Sequence, residues 1–312
     1  MQSPSLQTSF ADTSQMKVPL LQPVQPGLKK KQSKALVAPI LFLHIPKTAG
    51  TTMQYIIDGK YKWRSMKTLT NNRYKHSVDF EKLSLQEKKK IKVIKGHLKF
   101  SSYINDYPGE ITCFTILRDP YKRSVSAFNF LRQHKNHPFN AQLVKENYSL
   151  KEILKGGYIK QLDNCHVRFL ASAQELKFGL VNEETYKTAL KNFDTYFQLF
   201  GISERFDESL IHFKRHLNWS FPFYIPTNIS NKKKSVLEFD EETNQLLAHY
   251  NQYDQMLYEY ACKKFDAVIK LYGNDFTEEV KRFQRLNKLQ APLRNAIRRL
   301  IHFFHKPPYT LF

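Results

Sequence analysis

Cysteine is nearly absent. The 312 residues hold three, Cys113, Cys165 and Cys262, far apart and with no C-x-x-C pair. An odd, scattered set excludes a disulfide framework and points to buried free thiols. Glycine is as scarce, at 10 residues, which argues against a low-complexity chain. No long apolar run is present either. The longest, Ala35 to Leu43, is broken by Pro39 and is about half the ~20 residues a membrane-crossing helix needs. The N-terminus lacks a basic start followed by an apolar stretch, so no signal peptide is evident. Together these absences give the expectation of a soluble, cytoplasmic chain. The 11 histidines form no H-x-x-x-H with a carboxylate partner, and no metal site is expected. From Val280 to Phe312 there is no acid at all.

What is present is enough for a core and strongly basic. Hydrophobic residues make up 41%, with 24 Phe and 17 Tyr, and the formal net charge is +21. A surplus of that size draws in polyanions, but it does not choose among nucleic acid, anionic lipid, acidic glycan and a highly charged small molecule. Residues 1–36 are polar, end in a lysine cluster and read as a disordered basic tail. A folded domain is expected over 37–273 and a basic amphipathic helix or tail over 274–312. In that last segment Leu286, Leu289, Leu293, Ile297, Leu300 and Phe304 recur at helical spacing. Two readings stand for it: the helix lies on an anionic membrane surface, or it packs on the domain. Strands are expected at 38–44, 91–95, 111–117 and 193–202, and helices at 51–58, 84–90, 120–133, 149–155, 160–171, 183–192, 204–217 and 240–271. Residues 60–90 read as a surface excursion. Alternating strands and helices indicate an α/β architecture with a parallel sheet.

Two segments carry the chemistry. Leu41-Phe-Leu-His-Ile-Pro-Lys-Thr-Ala-Gly-Thr-Thr52 and Ile111-Thr-Cys-Phe-Thr-Ile-Leu-Arg-Asp-Pro-Tyr-Lys-Arg-Ser-Val-Ser126 each pass from a buried-strand pattern into basic, hydroxyl and small residues, then into a helix. A strand, a tight turn and a helix N-terminus together offer free N–H groups and partial positive charge to a phosphate. In the first, Lys47, Thr48, Ala49, Gly50, Thr51 and Thr52 form the loop. Lys47 precedes the glycine instead of following it, unlike the G-x-x-x-x-G-K-[ST] loop of nucleotide kinases. In the second, the planar fork of Arg118 suits a phosphate, Ser126 adds a hydroxyl, and Asp119-Pro120 supplies an N-cap followed by proline at the first helical position.

The first loop is similar to the one with which sulfotransferases grip 3′-phosphoadenosine 5′-phosphosulfate (PAPS). With the second segment, Gly96-His97, Asn164-Cys-His-Val-Arg-Phe-Leu170, Phe200-Gly-Ile-Ser-Glu-Arg-Phe-Asp-Glu-Ser209 and Tyr250-Asn-Gln-Tyr-Asp-Gln-Met-Leu-Tyr258, the chain resembles the carbohydrate sulfotransferases that include heparan sulfate 2-O- and 6-O-sulfotransferases and bacterial relatives. The likeness runs from about Pro39 to Leu271. It implies a three-layer, P-loop-type α/β fold with a mostly parallel central sheet. It also implies PAPS as sulfuryl donor without a metal, and a glycan acceptor rather than nucleic acid. Lys47 would face the leaving phosphate oxygen, Arg118 and Ser126 would hold the 3′-phosphate, and His97 would be the general base. His44 is expected to pack against the sheet. Asn164 and Arg168, one helical turn apart, are weaker candidates for the acceptor edge, as is the lysine run 232–234. The rival readings are a P-loop phosphotransferase, disfavoured by the missing G-K-[ST] and the lack of an acidic residue for magnesium, and a non-catalytic basic glycan- or nucleic-acid-binding protein.

Overall fold

The computed structural model describes residues 39–61, 67–71, 80–135, 139–225 and 239–304. The expected tail at 1–36 and the lysine run 232–234 lie outside these residues. The strands β1 (Ile40–Leu43), β2 (Lys67–Asn71), β3 (Ile91–Gly96), β4 (Thr112–Leu117) and β5 (Leu199–Ile202) form one sheet in the order β2-β3-β1-β4-β5. Every pairing is parallel. β1 is central, with Leu43 opposite Gly96 on one side and Thr115 on the other.

Both faces of the sheet are covered, which is why its strands read as continuous apolar runs rather than alternating ones. Leu41 and Leu43 face one core with Val167 of α7 (Cys165–Leu170), Phe193 of α8 (Glu183–Tyr196) and Phe265 of α11 (Gln252–Tyr272). Ile40 and Phe42 face the other with Ile57 of α1 (Gly50–Tyr61), Phe213 of α9 (Phe206–Leu217) and Phe283 of α12 (Asn274–Phe304). A satellite cluster joins α4 (Pro120–Gln133), α6 (Leu150–Gly156) and α10 (Glu241–Tyr250) through Phe128, Ile153 and Leu247. The result is a three-layer α/β domain, whose connections also hold the short helices α2 (Leu85–Lys90), α3 (Ser101–Ile104) and α5 (Asn140–Lys145). The first turns of α12, with Phe276 and Val280 also buried, belong to the same core as β1.

Four expectations need correction. The 60–90 excursion contributes the edge strand β2. The run 193–202 is divided, since α8 continues to Tyr196 and only Leu199–Ile202 is strand. The helix over 160–171 begins at Cys165, because Asn164 is in the left-handed region (φ 43°). The helix over 240–271 breaks at Asn251, whose side-chain amide donates to the carbonyls of Leu247 and Leu162 at 2.9 and 3.1 Å.

The connection leaving β1 runs toward β2 and β3, whereas the one leaving β4 runs toward β5. The strand order therefore reverses between β1 and β4. In open parallel sheets the crevice beyond the carboxyl ends at such a point is where ligands bind.

Candidate active site

The loop after β1 lies at that crevice. Lys47 and Ala49 both have positive φ, 69° and 66°, a conformation that costs an L-residue roughly 1–2 kcal/mol and persists where surrounding contacts enforce it. One enforcing contact is the Thr48 hydroxyl, which donates to the Ile45 carbonyl at 2.9 Å and is buried with it. α1 begins at Gly50, and Met53 N–H is bonded to the Ala49 carbonyl. The N–H groups before it have no intrahelical acceptor and belong to the loop and the first turn of the helix. Gly50 is required sterically: a Cβ there would lie 1.8 Å from His44 Cδ2. Thr51 is exposed and Thr52 buried at the start of the helix.

The Lys47 ammonium sits 4.0 Å above the Phe130 ring. Among the described residues it meets no carboxylate. Burial, then the nearby Arg118 charge, pushes its pKa down to about 8. A half-buried cation without a counter-charge is what an anionic ligand would satisfy.

Arg118, at the end of β4, ties the two segments together. Its Nη1 donates to the Lys47 carbonyl at 2.9 Å, and its Nε is 3.8 Å from Glu204. Glu204 also accepts from Tyr258 Oη at 3.0 Å. Burial lowers the pKa of Arg118, and Glu204 opposes that. The Arg118 N–H points to His166 Nε2 at 3.4 Å, and His166 Nδ1 lies 3.1 Å from Asp254 in a fully buried pair. Ser126 is half-buried on α4, and its hydroxyl has no hydrogen-bond partner among the described residues. It precedes Phe130 by four residues and so shares its face of the helix, the face that meets Lys47.

His97 follows β3 on the other side of β1. It is exposed, and its Nδ1 donates to the His44 carbonyl at 2.6 Å. A carbonyl can only accept, so the neutral ring carries its proton on Nδ1 and presents Nε2 as the basic nitrogen. Gly96, at φ 139°, makes the bend before it. The His44 ring is buried and stacked 4.3 Å from that of His97.

The structure thus gathers Lys47 to Thr52, Arg118, Ser126 and His97 along the carboxyl edge of three adjacent strands. Asn164 and Arg168 do not join them. The Asn164 Oδ1 caps α11, accepting from the N–H groups of Tyr253 and Asp254 at 3.0 Å. Arg168 is 2% exposed and donates to the carbonyls of Asp163, Leu176 and Lys177 and to the Asp163 carboxylate. Four of its five N–H donors are thus used inside the chain. Sequence reasoning missed Phe130, His134, Glu204 and His166. The His134 ring lies 4.1 Å from that of Phe130, tilted by 46°, and its basicity is lowered by burial and then by Lys47. The four-residue spacing Ser126–Phe130–His134 was the available signal. Glu204 and His166 lie within the segments 200–209 and 164–170 that carry the family resemblance, but neither stood out from its neighbours there.

A three-layer α/β domain with a strand–loop–helix cradle at its switch point has the P-loop type of fold, here with the cation ahead of the glycine. The model of the galactose-3-O-sulfotransferase family matches residues 4–300, and the chain belongs to that family of carbohydrate sulfotransferases. The match supports the carbohydrate sulfotransferase resemblance but does not confirm the heparan sulfate 2-O- and 6-O-enzymes or bacterial relatives named with it. No curated protein matches the chain. Family membership overturns the expected cytoplasmic location, because galactose-3-O-sulfotransferases are Golgi-lumenal enzymes. No helix among the described residues is long and apolar enough to cross a membrane.

Proposed function

We propose that the protein transfers the sulfuryl group of PAPS to a hydroxyl of a galactose-containing glycan, at O3 in keeping with the family to which it belongs. One observation carries this reading. The Lys47 ammonium, which meets no carboxylate among the described residues, belongs to a loop bonded through its Lys47 carbonyl to Arg118 and one strand away from a histidine whose Nε2 is the basic nitrogen. A donor with a 5′-phosphosulfate and a 3′-phosphate meets a cation or a hydroxyl at each anionic end. The 5′ end takes the loop from Lys47 to Thr52, and the 3′-phosphate takes Arg118 and Ser126.

His97 Nε2 accepts the proton of the acceptor hydroxyl as its oxygen bonds to sulfur. The bond between sulfur and the bridging phosphate oxygen breaks, and the charge left on that oxygen is met by Lys47. The products are the sulfate ester and adenosine 3′,5′-bisphosphate. A cation aimed at charge that develops during the reaction stabilises the transition state more than the ground state.

The test is transfer of label from PAPS to terminal galactosides, with the ester position read by NMR, alongside thermal shifts with the bisphosphate, ATP and AMP. A ligand bound only by the native state raises its melting temperature. Label on galactose O3 with stabilisation by the bisphosphate supports the reading. Stabilisation by ATP equal to that by the bisphosphate, with no label transferred, rejects it.

A further inference from the structure

His44 makes more contacts among the site elements than packing against the sheet requires. Its N–H donates to the Gly96 carbonyl at 2.9 Å, and its own carbonyl takes the His97 Nδ1 proton at 2.6 Å. Residue 44 therefore continues the β1–β3 pairing past the last strand residue and holds the base by its ring nitrogen. Its side chain belongs to a column of rings. Phe42 lies at 5.8 Å with a 13° interplanar angle, and His97 at 4.3 Å with 27°. The ring edge fills the space where Gly50 lacks a Cβ, since that atom would be 1.9 Å from His44 Nε2. Gln54, one turn into α1, donates its side-chain amide to His44 Nδ1 at 2.9 Å.

One side chain, 8% exposed, thus touches the base, the first residue of the donor loop's helix, and the helix itself. Burial is the main reason it stays uncharged, and the neighbouring His97 and Lys47 add to it. A neutral ring here stacks on His97 without placing a second cation beside Lys47.

We infer that His44 is a positioning residue, whose ring, wedged between Gly50 and His97, sets the orientation of the base relative to the donor loop. This rests on the assignment of His97 as the base. A flat ring is what the position needs, so His44→Phe should support turnover far better than His44→Ala. Proton transfer depends on hydrogen-bond reach and direction, and a base that loses the ring stacked on it at 4.3 Å is held less closely in the direction the transfer needs.

The experiment compares His44→Ala, His44→Phe, Gln54→Met and His97→Ala by turnover against pH, by calorimetric affinity for adenosine 3′,5′-bisphosphate, and by melting temperature. His44→Ala should lose at least ~10-fold in kcat while keeping bisphosphate affinity within about 3-fold and keeping the acid limb of the wild-type pH profile. His44→Phe, which keeps the ring but not the Gln54 bond, should recover the rate to about the level of Gln54→Met. Gln54→Met removes the ring's anchor without touching either histidine, so it should lower kcat several-fold, and it tests the inference if His44→Ala does not fold. Wild-type kcat in both His44→Ala and Gln54→Met overturns the positioning role and leaves His97 as the base. A His44→Phe rate as low as that of His44→Ala overturns it as well. Loss of the acid limb in the His44 variants, with the limb kept in His97→Ala, instead removes His97 as the base.

Discussion

Lys47 is the residue with most at stake. Replacing it by methionine keeps the apolar stem over Phe130 and removes only the charge. Turnover should fall about 100- to 1000-fold, the usual cost of one preorganised transition-state donor, with glycan affinity nearly unchanged in equilibrium binding. Its pKa of about 8 in the free protein predicts a linked proton. A bound phosphate raises that pKa, so affinity for adenosine 3′,5′-bisphosphate should be greatest below pH 8 and fall as pH rises above it. Calorimetry in buffers of different ionisation enthalpy should register proton uptake near pH 8 in wild type and none in Lys47→Met. On the proposed reading, Arg118 sets the discrimination between the bisphosphate and AMP. A charge-assisted hydrogen bond contributes roughly 1.5–3 kcal/mol, so Arg118→Ala should weaken bisphosphate binding at least ~10-fold and leave the weaker AMP binding about where it was.

At the scale of elements, the strand ends and the cradle were legible in the sequence because local signals coincided there. An apolar run meets Pro46-Lys-Thr-Ala-Gly50, and Asp119-Pro120 marks the first turn of α4, where Asp119 accepts from the Lys122 N–H at 2.8 Å. The breaks were not legible. The periodicity from Leu246 to Ala261 runs unbroken through Asn251, and only a tertiary contact, its bond to Leu162, reveals the end of α10. Phe193 and Phe197 read equally well as strand residues. They belong to the packing of α8 because Phe193 meets Phe200 and Tyr260 across the layer. Asn164 and Arg168 stood out as polar residues at helical spacing, yet they brace α7 and α11. Arg168→Ala strands the Asp163 carboxylate, which Gly179 N–H also approaches at 2.7 Å, inside the protein. Breaking a buried pair costs about 3–5 kcal/mol. The variant should melt many degrees lower and, below its transition, bind bisphosphate as wild type does. Intact stability with a selective rise in acceptor KM would return Arg168 to the substrate.

The whole molecule holds neutral histidines in its core. His44 and His212 are buried, and desolvation keeps both pKa values well below the usual histidine range. His212 is bonded through Nδ1 to Tyr272 Oη at 2.8 Å, and the adjacent His216, whose pKa is also lowered, approaches the same hydroxyl at 3.2 Å. In the unfolded chain these rings protonate near pH 6.5, whereas in the folded one they do so only at lower pH. The unfolded state therefore binds more protons below that pH, and stability is lost as the solution is acidified. Each such group contributes a slope of up to about 1.4 kcal/mol per pH unit. Denaturant midpoints should hold steady from pH 8 to 7 and decline from about 6.5 toward 5, and His212→Gln should flatten the decline.

The strand order has a consequence for traffic through the site. His97, the donor loop and Arg118 follow β3, β1 and β4, three neighbours in the sheet, each about 4.8 Å from the next. Base and nucleotide anchor stand on opposite flanks of the loop, about 10 Å apart. On the proposed assignment, nucleotide and acceptor approach over opposite flanks of the loop. Neither then covers the other's path, and initial-rate kinetics should show that either can bind first.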